Sequence, residues 1–124
     1  MSPSFGVELE GGPYQPGDVV EGRVTVLEGG SARDLEVFLR FVERTRDYSE
    51  SPVSVGSGPL HTGDLRDGAS YRFQLRLPQD ALPNYQSKHG RLQWLVDVQA
   101  DRKLRGDEHE RLPIEVVAPQ PSER

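Results

Sequence analysis

The chain contains no cysteine, which excludes a disulfide framework, a thiol nucleophile and any cysteine-bound metal. It also lacks an apolar run approaching the ~20 residues of a membrane-spanning helix. The first five residues, Met-Ser-Pro-Ser-Phe, hold neither a basic stretch nor an apolar one, so no secretory signal is expected and a cytoplasmic location follows. No basic stripe is present: 15 Lys and Arg are interleaved with 20 Asp and Glu, for a net charge of −5. Nucleic-acid binding, which needs clustered cations to neutralise phosphates, is therefore not expected. Lysine itself is scarce, most of the basic residues being arginine, a bias that points to a GC-rich bacterial genome.

What the sequence does hold is punctuation. Thirteen glycines and ten prolines separate short apolar runs, a pattern that favours turns over long helices. At 124 residues the chain has the size of one domain, burying roughly 65% of its unfolded surface. Residues 1–117 are read as that domain and 118–124 as a flexible tail.

Period-two alternation recurs along the chain. Phe5, Val7 and Leu9 alternate with small or acidic residues. From Val19 to Leu27, the side chains of Val20, Gly22, Val24 and Val26 share one face, and Glu21, Arg23 and Thr25 the other. Leu35, Val37, Leu39 and Phe41 form the inward face of a longer strand, with Glu36, Arg40 and Arg44 outward. Pro52 to Leu60, rich in serine, glycine and proline, reads as an edge strand or a loop. Tyr71, Phe73, Leu75 and Leu77 face inward in the next strand, between outward Arg72, Gln74 and Arg76. After a break at residues 78–84, Leu92, Trp94, Val96, Val98 and Ala100 oppose Gln93, Asp97, Gln99 and Asp101. Leu112, Ile114 and Val116 close the series. No segment shows a helical period. About seven short strands with turn signals between them predict an all-β, immunoglobulin-like antiparallel sandwich. Its shared core should hold Val24, Val26, Leu39, Phe41, Phe73, Leu75, Trp94, Val96 and Ile114.

Two blocks carry a resemblance. Tyr14-Gln-Pro-Gly-Asp18 leads into the glycine-bearing strand Val19–Val26. Ser70-Tyr-Arg-Phe-Gln-Leu-Arg-Leu-Pro78 is followed by Leu82-Pro83, a loop and Leu92–Ala100. In order and spacing they resemble arrestin-like domains, which implies an arrestin-type sandwich and a protein-interaction role without an active site. Longer arrestins pair two sandwiches, whereas this chain has room for one. Bacterial sporulation-control proteins of related fold are similar in style, though longer. The first 22 residues hold no lysine or arginine, so the phosphate sensing of eukaryotic arrestins is not implied.

Catalytic and ligand-binding patterns are sparse. His61, His89 and His109 fall in expected loops without metal-ligand spacing, so neither a metal nor another cofactor is expected. Gly56-Ser57-Gly58 lacks the spacing of a nucleophile elbow and reads as a flexible loop, leaving no constellation for a hydrolase. Asp64-Leu-Arg-Asp67-Gly68 lacks the alternating ligands of a calcium loop and reads as a capped turn. Arg105-Gly-Asp107 reads as a charged hairpin tip. Trp94 shares parity with Leu92, Val96 and Val98, which assigns it to the core rather than to a sugar platform. Tyr14, Tyr48 and Tyr85 lie at or near loops, where they could form a surface patch.

Phe38, Val42 and Leu95 are different, being apolar residues on nominally wet strand faces. Either a loop or the tail covers them, or they form a contact patch for self-association or a protein partner. Sandwich edges provide a second route to pairing. The leading expectation is thus a non-enzymatic scaffold or adaptor module that binds through an edge strand or this apolar face. The alternative is a ligand-binding sandwich using loop residues for carbohydrate or metal.

Overall fold

The computed structural model describes residues 3–45, 49–102 and 106–118, with only the backbone for 49–52. Tyr48, Arg105 and nearly all of the expected tail lie outside the described residues. Eight strands are present among the described residues: β1 (Ser4–Glu10), β2 (Val19–Glu28), β3 (Asp34–Thr45), β4 (Ser49–Thr62), β5 (Ser70–Arg76), β6 (Tyr85–Ser87), β7 (Gly90–Asp101) and β8 (Glu108–Ile114). They form two antiparallel sheets. The smaller has the order β1-β2-β5; the larger has the order β4-β3-β7, with β6 and β8 both pairing with β7.

The inward faces are those the alternation assigns. In the β3–β7 ladder Val37 lies opposite Val98, Leu39 opposite Val96 and Phe41 opposite Trp94, and all six are buried. Val20, Val24, Val26, Phe73 and Leu75 supply the facing layer. All nine residues expected in the core are buried. Gly22 is required on this face, because a Cβ there would stand 2.5 Å from the Glu8 carbonyl oxygen and 2.8 Å from the Phe73 ring. The Phe73 ring fills the space that a side chain at position 22 would need.

The two blocks that carry the resemblance meet in space. Pro16-Gly17 form the centre of a turn in which the Asp18 amide donates to the Gln15 carbonyl (3.0 Å). Gly17 supplies the positive φ of 85° that such a turn demands. The turn is docked on the end of β5: the Gly17 amide donates to the Pro78 carbonyl (3.1 Å) and the Leu77 amide to the Asp18 carbonyl (2.9 Å). Tyr14 is buried beside it, and its hydroxyl donates to the Glu10 carbonyl at 3.0 Å. Its backbone pairs in parallel with the segment around Val116. Desolvation raises the Tyr14 phenol above its ordinary pKa. Tyr14 thus belongs to the architecture and not to a surface patch.

Pro52 to Leu60, expected as an edge strand or a loop, is the edge strand: it lies within the 14-residue β4 at the end of the larger sheet, and its register shifts three times against β3. Such bulges and prolines blunt an edge against unwanted pairing. β6, just after the expected break, is too short for a period to register.

Candidate interaction face

Each sheet has an outer face, and the two differ. On the smaller sheet Glu8, Glu10, Arg23, Arg72, Gln74 and Arg76 point to solvent, with Arg72 paired to Glu10 at 3.0 Å and Gln74 to Glu21. On the larger sheet Phe38 and Val42 come from β3 and Leu95 from β7, and all three are partly buried. Leu95 lies opposite Arg40, Phe38 opposite Asp97 and Val42 opposite Gln93. The three apolar side chains therefore stand as a triangle around Arg40. Pro113 of β8 sits beside Leu95 in register and extends the patch.

The Arg40 guanidinium lies 4.3 Å from the centre of the Phe38 ring, a cation–π arrangement that lays a charged group over an apolar one. Arg40 Nε donates to Asp97 Oδ2 (2.9 Å), Nη1 to Ser54 Oγ (2.9 Å) and Nη2 to Gln99 Oε1 (3.2 Å).

Asp97 corrects its expected outward, solvated position. It is 1% exposed, at the centre of a network formed by three strands. His109 Nδ1 donates to its Oδ1 at 2.9 Å, and Arg111 Nε lies 3.6 Å from Oδ2. A buried carboxylate persists only when cations and hydrogen bonds replace the lost water, and here three basic side chains surround it. Alternation places Asp97 on the outer face correctly. Its burial arises because β8 sets Arg111 directly opposite it and His109 two positions along, while β3 sets Arg40 diagonally across, a relation between residues far apart in the chain.

The histidines are not gathered. His61 and His109 lie on β4 and β8 rather than in loops. The His61 ring contacts Tyr71, with 5.3 Å between centroids, and the exposed His89 occupies the β6–β7 turn. Among the described residues no group of three or more His, Cys, Asp or Glu is placed to hold a metal. Ser57 Oγ accepts from the Val37 amide (3.1 Å) and donates to the Gly58 carbonyl (2.7 Å), so it serves the β3–β4 bulge. Asp67 Oδ1 accepts from the Gly29 amide (2.6 Å) and Asp64 Oδ1 from Ala32 (3.4 Å), a capped turn as the sequence suggests. Asp107, from the expected hairpin tip, is bonded to Gln99.

Trp94 is 1% exposed. Its ring packs against Phe41 (5.0 Å between centroids), and its Nε1 donates to the Leu82 carbonyl at 2.8 Å. No sugar could stack on it. The shallow pocket of about 290 Å³ at this end, bordered by Phe41, Val53, Pro78, Ala81 and Leu82, has Trp94 as part of its wall. Tyr85 is 62% exposed, whereas Tyr14 is buried.

These features define the class: an all-β, arrestin-type sandwich of two antiparallel sheets. No family model matches the chain, and no curated protein matches it. Among solved structures it is similar to the crystal structure of Spo0M, a sporulation control protein from Bacillus subtilis, with a TM-score of 0.65 and 19% sequence identity. The likeness covers 94% of this chain and 49% of that one, so the chain spans about half the length of its solved neighbour. At that identity the likeness is one of fold. No helix among the described residues is long and apolar enough to cross a membrane.

Proposed function

We propose that this chain is a non-enzymatic interaction module, a cytoplasmic scaffold or adaptor that binds a protein partner through the outer face of its larger sheet. The observation that carries this reading is the contrast between the two outer faces. One is covered mainly by solvated charge, with Leu27 exposed near its end. The other sets Phe38, Val42, Leu95 and Pro113 around an ion network centred on the buried Asp97. Apolar side chains around a rigid, internally satisfied polar centre suit an interface, which needs burial without stranded charges. The outer edges of β6 and β8, which pair with β7 on their inner side, offer backbone pairing as a second contribution. A solved neighbour named as a control protein fits a regulatory role.

Phe38→Glu tests the reading. The variant should keep the far-UV circular dichroism spectrum of the parent. It should also lose about 2 kcal/mol of binding, the scale of one apolar hot spot, seen in sedimentation for self-association or in pull-downs with cross-linking for a partner. If the parent stays monomeric at high concentration and both proteins recover the same partners, the proposal fails.

A further inference from the structure

Arg44 on β3 and Arg91 on β7 are direct partners across the ladder, and both are exposed. Like charges placed directly opposite one another weaken a strand pair. Arg23 and Arg72 also stand opposite one another, but there Arg72 is paired with Glu10. Lys88 and His89 form the exposed turn between β6 and β7. Among the described residues, the ion pairs of the protein involve none of Arg44, Lys88 and Arg91. These cations border an open groove of about 650 Å³ along the hairpin. Gly90 lines it at the strand junction, where a Cβ would lie 3.0 Å from the Arg44 carbonyl oxygen.

Resting on the interaction role argued above, we propose that this hairpin end is the docking site for an acidic, Asp- or Glu-rich segment of the partner protein. Charge complementarity selects the occupant: unpaired cations along a groove attract carboxylates and steer their approach. The geometry selects a peptide over a small anion. The groove runs along β6, which pairs only with β7 among the described strands and so leaves its other edge open to an extended segment. The site also continues the apolar face, because Arg44 follows Val42 by two positions on β3 and Arg91 precedes Leu95 on β7. A partner with apolar residues followed by acidic ones would cover both. Nucleic acid is a poorer occupant, since the cations do not extend into a stripe.

The test uses synthetic hexaglutamate as the probe, with hexaglutamine and inorganic phosphate as comparators. Titration into ¹⁵N-labelled protein should shift the amides of Arg44 and of residues 86–91 saturably, and the shifts should shrink as salt screens the charges. The double variant Arg44→Gln/Arg91→Gln should bind about tenfold more weakly, two exposed charge contacts being lost. Its melting temperature should equal or exceed the parent's, because the repulsion is relieved. Hexaglutamine binding as tightly, or a double variant that binds hexaglutamate like the parent, would overturn the proposal. Phosphate binding as tightly as hexaglutamate would overturn the peptide assignment in favour of a small-anion pocket. Phe38→Glu separates the two readings. If it leaves partner capture untouched while hexaglutamate still shifts the hairpin, the apolar face is wrong and the acidic site stands. If partner capture is lost with Phe38→Glu but hexaglutamate does not bind, the reverse holds.

Discussion

Replacing Trp94 with alanine probes the core at its most heavily loaded point. The indole is 1% exposed, and a tryptophan side chain buries about 200 Å² or more. At roughly 25 cal/mol per Å² this is about 5 kcal/mol of transfer free energy, of which alanine retains a small part at Cβ. Phe41, 5.0 Å away between ring centroids, would face the cavity. A net loss of about 3–5 kcal/mol is expected, as for other buried aromatic truncations. Domains of this size are stable by about 5–15 kcal/mol, so the variant should melt roughly 10–20 °C below the parent. Trp94→Phe divides the effect, keeping a ring but losing the 2.8 Å bond from Nε1 to the Leu82 carbonyl. That bond contributes about 1 kcal/mol, and the smaller ring leaves a modest void, so about 1–3 kcal/mol is expected in total. Chemical denaturation followed by far-UV circular dichroism measures both variants. Fluorescence cannot, because Trp94 is the sole tryptophan. In the parent, the same fact makes its emission a clean report on unfolding. A loss below about 1 kcal/mol for alanine would refute the core role, as would equal losses for alanine and phenylalanine.

Other perturbations address the remaining features. Asp97→Asn leaves Arg40, His109 and Arg111 without their shared anion and should cost about 2 kcal/mol or more in urea denaturation; a neutral result would mean that water replaces the carboxylate without loss. Gly22→Ala places a methyl group 2.5 Å from the Glu8 carbonyl oxygen and 2.8 Å from the Phe73 ring, so about 1–3 kcal/mol should be lost by overpacking, and an alanine variant as stable as the parent would contradict this. Tyr14 has its phenol pKa raised by burial above the ordinary 10.0, so the unfolded chain releases this proton first. Stability should therefore fall as pH rises past 10, and in Tyr14→Phe, weaker by about 1 kcal/mol at neutral pH for the lost Glu10 bond, this part of the alkaline slope should disappear from melting curves.

Alternation by itself determined which side chains face inward. A strand repeats every two residues, so Leu35 to Phe41 and Trp94 to Ala100 could be assigned to the core without knowing their partners. Local turn chemistry was equally legible, since Pro16 and Gly17 have the backbone preferences that their turn requires. Phe38, Val42 and Leu95 stood out because they break the alternation. What only the tertiary structure decided depends on register between distant strands. Asp97 looked solvated until β3 and β8 brought Arg40, His109 and Arg111 to its level. Arg44 and Arg91 were two unrelated surface charges until the β3–β7 ladder set them face to face. Tyr14 looked like a loop aromatic until the segment around Val116 paired with it. Side-chain parity is a local property of the chain. The charge a residue meets across a sheet is set by pairing, which no local pattern encodes.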